Sequence, residues 1–288
     1  MEYAVRKGIQ LFVPFSESRL FNSGRYRSSW SPPWAIQRKL DGERCRAIVT
    51  SGRCLLLSSS EAIISSVPHI NTYLAKHFPD GEYDGELYKH GWTQSEIHSV
   101  VSTTSSMHRR YEELEYHVFD VKNKKVQATR IEEYYKLPFG GPIKRVETYL
   151  ATTMNQIMNF YDQFIAEGYE GFIIRELSSM YVERRSQLGM KYKPKQVDHY
   201  EIVSVYEAVS DNGTPKGMIG GFNCIDDMGT HFKVGAGKLT HDERTRIWLN
   251  IQEGMHYGGL MLRVEYQSIS SKNKVPNFSR AVKVLMPE

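Results

Sequence analysis

The 288 residues are 40% apolar and 24% charged, the balance of an ordinary water-soluble chain, and they suffice for one large domain or two smaller ones. A net charge of +4 is too small for a global attractive field, so any grip on nucleic acid must come from local clusters of Lys and Arg. Three cysteines without a Cys-x-x-Cys pair, ten scattered histidines and no bilayer-length apolar run argue against a disulfide scaffold, a structural zinc and a membrane partner.

Residues 1–33, rich in Ser, Arg and aromatics and closing on Ser31-Pro32-Pro33, read as an irregular lead-in. Basic residues and a short apolar patch from Ile9 to Phe15 lack the sustained apolar core and cleavage site of a secretory leader, so a cytoplasmic setting is expected. The runs Trp34–Leu40 and Glu43–Thr50 flank an Asp-Gly turn signal. In the second run Cys45, Ala47 and Val49 alternate with Arg44, Arg46 and Ile48, the period of a half-buried strand. A turn at Ser51-Gly52 leads to a third strand, Arg53–Ser58. Lys39 is thereby placed beside a tight turn, where its side chain can face a cleft.

Further strands are predicted at Glu82–Tyr88, Leu114–Val121, Ile143–Tyr149, Gly171–Arg175 and Met190–Pro194. Helices are predicted at Thr93–Ser102, Arg130–Leu137 and Thr153–Glu167, the last stopped by Gly168. This succession predicts an α+β fold. A boundary near Lys195–His199, after Pro194, divides the chain into 1–197 and 198–288. Beyond it come short strands at Glu201–Ala208, Met218–Asp226 and Thr230–Val234. A helix at Asp242–Gln252, capped by Thr240, precedes strands at Leu260–Ile269 and Arg280–Leu285. Five strands and one helix in about ninety residues suit a small barrel of the oligonucleotide-binding (OB) type.

The string Lys39-Leu40-Asp41-Gly42-Glu43-Arg44 is weak evidence alone, but other segments follow it in order. They are Asp84-Gly85-Glu86-Leu87, Tyr116-His117-Val118-Phe119-Asp120, Glu170-Gly171-Phe172-Ile173-Ile174-Arg175 and Met190-Lys191-Tyr192-Lys193. An ordinary lysine, with a pKa near roughly 10.4, is neutral only about one part in a thousand at neutral pH. Neighbouring positive charge or desolvation favours the nucleophilic amine. Lys191 and Lys193, two apart on a strand, project to one face and suit nucleotide phosphates, although such a pair is also an ordinary solvated strand face. Asp84 and Glu86 place two carboxylates on one face, fit for ribose hydroxyls and a divalent cation, or else form a plain turn. Glu170 stands at the mouth of a buried-looking run as a magnesium ligand or a solvated loop residue. Phe119 is a core residue or a ring for stacking on adenine. Arg184-Arg185 is a phosphate clamp or an exposed basic loop.

Taken together, this succession resembles the nucleotidyl-transfer motifs of ATP-dependent DNA ligases and their relatives, the RNA ligases and capping enzymes. The resemblance implies an adenylation (nucleotidyltransferase) domain of mostly antiparallel sheets with flanking helices, followed by a C-terminal OB-fold barrel. It implies that Lys39 attacks the α-phosphate of ATP to form lysyl–AMP, and that AMP then passes to the 5′-phosphate of a nick for displacement by the 3′-hydroxyl. Arg44 and Glu86 would hold the ribose and nick phosphate, Phe119 would stack on adenine, and Gln37 would contact the adenine edge. Magnesium, with manganese as a substitute, would be bound by Glu170, Glu86 and Asp84, while Lys191 and Lys193 contact the α-phosphate. Nicked duplex DNA, gripped by Arg44, Arg184, Arg185 and the basic lead-in (Arg19, Arg25, Arg27), is the expected partner of a monomer acting in DNA repair or replication.

His231-Phe232-Lys233-Val234-Gly235-Ala236-Gly237, Thr240–Trp248 and Val264-Glu265-Tyr266-Gln267 are similar to the family's barrel. One departure is that Val282 stands where the last family motif has an Arg after Pro276-Asn277-Phe278, with Arg280 or Lys283 as substitutes. Another is the short Tyr206–Phe222 connection, which leaves no room for a DNA-encircling loop. With no additional N-terminal DNA-binding domain, the chain resembles the minimal ligases that viruses and phages encode. The competing readings are an RNA ligase, disfavoured by the Phe232–Gly237 segment, a capping guanylyltransferase, disfavoured by the absent Arg-x-Asp-Lys motif, and an NAD-dependent ligase, disfavoured by absent zinc cysteines. A non-catalytic nucleic-acid-binding protein with a decayed pocket is the reading from a different class.

Overall fold

A computed structural model describes residues 8–20, 30–103, 106–266, 268–269, 275–277 and 279–286. Arg25 and Arg27, named above as DNA contacts, lie outside these residues. The chain divides into two units, Met1–Lys193 and Pro194–Glu288.

The first unit begins with β1 (Leu11–Pro14), α1 (Glu17–Leu20), β2 (Trp34–Lys39), β3 (Glu43–Thr50), β4 (Arg53–Ser58), α2 (Pro68–His77) and β5 (Gly81–Tyr88). It continues with α3 (Gln94–Val101), β6 (Glu115–Val121), α4 (Gln127–Tyr135), β7 (Ile143–Arg145), β8 (Thr148–Ala151), α5 (Met154–Ala166), β9 (Gly171–Glu176) and β10 (Arg185–Tyr192). These make two five-stranded sheets, ordered β1-β10-β9-β2-β8 and β4-β3-β5-β6-β7. Pairing is antiparallel except at β1–β10 and β6–β7. Trp34, Ile36, Phe164, Phe172 and Ile174 fill the core under the first sheet, and Ala47, Leu56, Leu74, Leu87 and Tyr116 that of the second. Helix starts follow local chemistry. Thr93 and Glu96 form a reciprocal cap on α3, and the Thr153 hydroxyl accepts from the Gln156 amide at the start of α5.

Several expectations need correction. The lead-in is not wholly irregular, because β1 lies parallel to β10, with Leu11 in register with Arg185. The run expected as one strand from Ile143 to Tyr149 is two strands in different sheets, β7 on β6 and β8 on β2. Helix α2 was not expected; a Pro in its first turn and buried Ile70 and Leu74, four apart, account for it. Helix α4 starts at Gln127 rather than Arg130, since Arg130 is wholly buried against Asp120 (2.9 Å) and so packs like a core residue. The strand expected from Met190 starts at Arg185.

The second unit holds β11 (Gln196–Val209), β12 (Pro215–Ile225), β13 (His231–Gly235), α6 (His241–Gln252), β14 (Met261–Tyr266), β15 (Ser268–Ile269), β16 (Pro276–Asn277) and β17 (Arg280–Leu285). A closed barrel runs β11-β12-β13-β17-β14 around Ile202, Phe222, Val234, Leu262 and Ala281. Closure removes exposed sheet edges, the usual hazard of a small all-β unit. Thr240 and Glu243 cap α6 as the sequence suggests. The strand expected over Leu260–Ile269 is divided, β14 joining the barrel while β15 pairs with β16.

Candidate functional site

Eight side chains singled out in the sequence line one pocket of about 320 Å³: Gln37, Lys39, Arg44, Glu86, Phe119, Glu170, Lys191 and Lys193. They come from β2, β9 and β10 of one sheet and β3, β5 and β6 of the other, or from residues just beyond those strands. Period-2 geometry at facing strand ends brings them together.

Lys39 ends β2 in register with Gly171, and the Glu170 amide donates to the Lys39 carbonyl oxygen (3.1 Å). That pairing sets the Glu170 carboxylate against the Lys39 amine in an ion pair, while its other oxygen lies 2.6 Å from Lys193 Nζ. Burial pushes the Glu170 carboxyl up, but Lys39 and Lys193 more than offset this and hold it below the usual carboxylate range. Asp41, also on the pocket wall, is pushed up by its own burial and by the Glu170 charge.

Gly42 follows from the crossing of the turn over β5. A Cβ there would strike the Leu87 carbonyl oxygen and come within 2.8 Å of Glu86 Cγ. Glycine in the Lys-x-Asp-Gly string therefore lets Glu86 approach the Lys39 turn.

Burial pushes the Glu86 carboxyl up to about 7, even though Arg44 and Lys39 pull it down. An unfolded glutamate titrates near roughly 4.3, so between these values the folded chain holds a proton that the unfolded chain has lost. Stability from this group is thus fully present at low pH and is lost as pH rises through about 7. Glu86→Gln should accordingly gain on the parent chain by up to about 3 kcal/mol between pH 4.5 and 8. Denaturant unfolding of both chains across that range checks it; a constant difference would mean that Glu86 titrates normally.

Two predicted residues are placed differently. Asp84 is 1% exposed and does not line the pocket. Its oxygens receive the Arg44 fork (Nε 2.7 Å, Nη2 2.6 Å) and the Tyr181 hydroxyl (2.6 Å), so the expected metal ligand is instead the internal partner of Arg44. Gln37 donates both amide hydrogens inward, to the Phe119 carbonyl (3.0 Å) and Thr148 Oγ1 (2.8 Å), and its oxygen accepts from Arg175. It braces the wall behind Phe119, leaving only one oxygen lone pair for a ligand.

Phe119 carries the Arg44 guanidinium 4.5 Å from its ring centroid and that of Arg175 at 5.4 Å. The sequence reading gave Arg175 no role; an arginine directly after the apolar run Phe172–Ile174, within the same strand, was its one signal. The reading also missed Ile9, Gln10, Leu11 and Phe12 on the pocket wall. The Gln10 side-chain oxygen is buried there without a hydrogen-bond partner among the described residues. Arg184 and Arg185 are exposed and off the pocket, Arg185 donating to the Phe12 carbonyl (3.1 Å).

Among the described residues no group of three or more His, Cys, Asp or Glu could hold a metal by itself. Glu86 and Glu170 nevertheless offer hard oxygen donors to the same pocket. Magnesium is commonly held by one or two carboxylates together with substrate phosphates, so this pair fits an ion that arrives with a nucleotide. No helix among the described residues is long and apolar enough to cross a membrane.

The family profile described as ATP dependent DNA ligase domain matches residues 27–193, more than half of the chain. The chain belongs to this family. The DNA ligase of African swine fever virus is 26% identical over 272 residues, which take in 86% of this chain and 62% of the viral protein. The chain therefore spans less than two thirds of that relative's length. Among solved structures, a Lig E DNA ligase described as binding DNA with a minimal scaffold matches with a TM-score of 0.72 at 19% identity, over 96% of this chain and 99% of that one. The Chlorella virus DNA ligase-adenylate matches at 0.52 with 22% identity, over 99% and 100% of the two chains. The ATP-dependent ligase of bacteriophage T7, in complex with ATP, matches at 0.54 with 16% identity, over 96% and 98%. These likenesses show the fold, a nucleotidyltransferase domain followed by an OB barrel. In the barrel of this family member Val282 is half-buried, while Arg280 and Lys283 on the same strand are exposed.

Proposed function

We propose that this chain seals 5′-phosphate/3′-hydroxyl nicks in duplex DNA at the expense of ATP, through a lysyl–AMP intermediate on Lys39. The supporting observation is the convergence of the Lys39 amine with Lys191, Lys193 and Arg44 in one pocket that also holds Phe119. Three cations suit a triphosphate, and the half-buried ring suits a base.

An amine in an ion pair is protonated and cannot attack. Glu170 must therefore exchange Lys39 for another partner, and Lys193, already 2.6 Å away, keeps one of its oxygens engaged. Attack by the neutral amine forms the nitrogen–phosphorus bond, breaks the bond to pyrophosphate and gives up one proton to solvent. Magnesium, or manganese in its place, would be held by Glu86 and Glu170 with the nucleotide phosphates and would neutralise their charge. Arg44 and Glu86 orient the ribose and then the nick phosphate, Phe119 stacks on adenine, and Lys191 and Lys193 stay on the α-phosphate while AMP passes to the 5′-phosphate. Arg280 or Lys283 takes the place of the family's last-motif Arg. We take the working form to be a monomer. The free thiols of Cys45, Cys54 and Cys224 suit the reducing cytoplasm.

The test is incubation with magnesium and labelled ATP, denaturing electrophoresis and mapping of the adduct, with joining then measured on nicked DNA and nicked RNA. No adduct with ATP overturns the proposal, and preferential joining of RNA transfers it to an RNA ligase.

Arg184 and Arg185, exposed and off the pocket, are assigned to DNA phosphates. Arg185→Ala should weaken nick binding and lower the dependence of log affinity on log salt by about one unit, while adduct formation without DNA is unchanged. Equal loss of both activities would place Arg185 with the nucleotide instead.

A further inference from the structure

Arg44, Asp84, Tyr181 and the main chain of Gln10 close a ring of hydrogen bonds. The Gln10 amide donates to the Tyr181 hydroxyl oxygen (3.2 Å), and that hydroxyl donates to Asp84 Oδ2 (2.6 Å). Arg44 Nη2 donates to the same Oδ2 (2.6 Å) and to the Gln10 carbonyl (3.2 Å), while its Nε reaches Oδ1 (2.7 Å). The members come from four places in the chain: the segment before β1, β3, β5, and the connection between β9 and β10.

Arginine has five N–H donors in a planar fork. Nε and Nη2 are engaged by the ring, so the two N–H groups of Nη1 are those left without a partner among the described residues, on a side chain that lines the pocket. The ring thereby determines which edge of the guanidinium is offered. Asp84 alone would not do so, because a carboxylate that accepts only from Arg44 is free to turn with it. Tyr181 gives Oδ2 a second donor and fastens the Gln10 main chain, whose carbonyl takes the other Nη2 hydrogen. The phenol is itself held in place, its ring 5.5 Å from the Arg130 guanidinium, which is locked to Asp120. Burial and the nearby Asp84 raise the Tyr181 phenol well above its ordinary range, keeping it a donor.

We propose that Tyr181 is a positioning residue for Arg44, orienting its free donors toward the nucleotide by tying Asp84 to the Gln10 peptide. This inference rests on the reading of Arg44 as a ribose and phosphate ligand. It also makes the segment before β1, which has no motif, part of the working site.

The test uses the full chain with magnesium and labelled ATP, following single-turnover adduct formation across ATP concentrations. Tyr181→Phe should raise the half-saturating ATP concentration about tenfold and change the maximal rate by less than about threefold, the signature of lost ligand binding. The discriminating measurement is a double-substitution cycle. In an Arg44→Ala background, adding Tyr181→Phe should change the half-saturating concentration by less than about twofold. A purely structural tyrosine would multiply its effect in both backgrounds, and that result overturns the proposal, as does an unchanged ATP dependence in Tyr181→Phe alone. Should Tyr181→Phe fail to fold, Asp84→Asn enters the same cycle, since its amide oxygen cannot serve Arg44 and Tyr181 as the carboxylate does; multiplication there overturns the ring. Absence of any adduct on the unaltered chain would instead overturn the ligase reading, so the two failures are distinguishable.

Discussion

Lys39→Ala should form no enzyme–AMP adduct, a loss of at least about a thousandfold, because it removes the nucleophile rather than a group that assists one. Lys39→Arg should lose the adduct as completely, although a guanidinium restores positive charge opposite Glu170, since arginine does not deprotonate in proteins. Together the two variants separate the amine as nucleophile from the amine as partner in an ion pair. Sealing of a nick that already carries AMP should survive in part, because the attacking group in that step is the DNA 3′-hydroxyl. Gel electrophoresis with labelled ATP and a pre-adenylated nick reads both steps. Adduct retained on either variant would remove Lys39 from the mechanism.

Gly171→Ala should be the most damaging single-methyl change in the first unit. Gly171 has a φ of 145°, a conformation that side chains rarely adopt, and an added Cβ would run into the Tyr192 carbonyl oxygen. Both flanking strands are constrained, for Gly171 is in register with Lys39 on one side and its neighbour Phe172 with Tyr192 on the other. Relieving the clash must push β9 away from β10 and shift Glu170, the residue that engages Lys39 and Lys193 together. A loss of about 3 kcal/mol or more is expected, with a fall in the transition temperature of about 6 °C or more. Because two units need not unfold together, the signal should be one that reports the first unit, such as the four Trp residues at 30, 34, 92 and 248 less the contribution of Trp248. An adduct-formation rate at least tenfold lower should accompany the shift. A stable Gly171→Ala chain with normal adenylation would mean that the close approach of β9 to β10 is unimportant to the site.

The local chemistry of the pocket residues was legible in the sequence where it depends on short spacings. Lys191 and Lys193 are two apart and project together from a strand end, and the Asp-Gly after Lys39 breaks the chain between two strands, although these join different sheets rather than a hairpin. Capping signals at Thr93, Thr153 and Thr240 are equally local, as are the alternation of β3 and the short strands of the barrel. From such signals follow the α+β class, the barrel and part of the pocket wall. Only the tertiary structure decided what required partners distant in sequence. β1 is a strand because β10, some 170 residues on, accepts it, and only then do Ile9–Phe12 become a pocket wall. Asp84 carries the same side chain whether it faces a cation or an arginine, and the packing of Arg44 and Tyr181 against it selects the arginine. Gln37 likewise has its amide hydrogens claimed by Phe119 and Thr148 from two other strands. The chain between Ile143 and Ala151 is apolar enough for one strand, yet two sheets compete for it and each takes a part. Periodicity reports which face of an element is buried; it is silent on the element that buries it, because that choice is made by shape and hydrogen bonding across the fold.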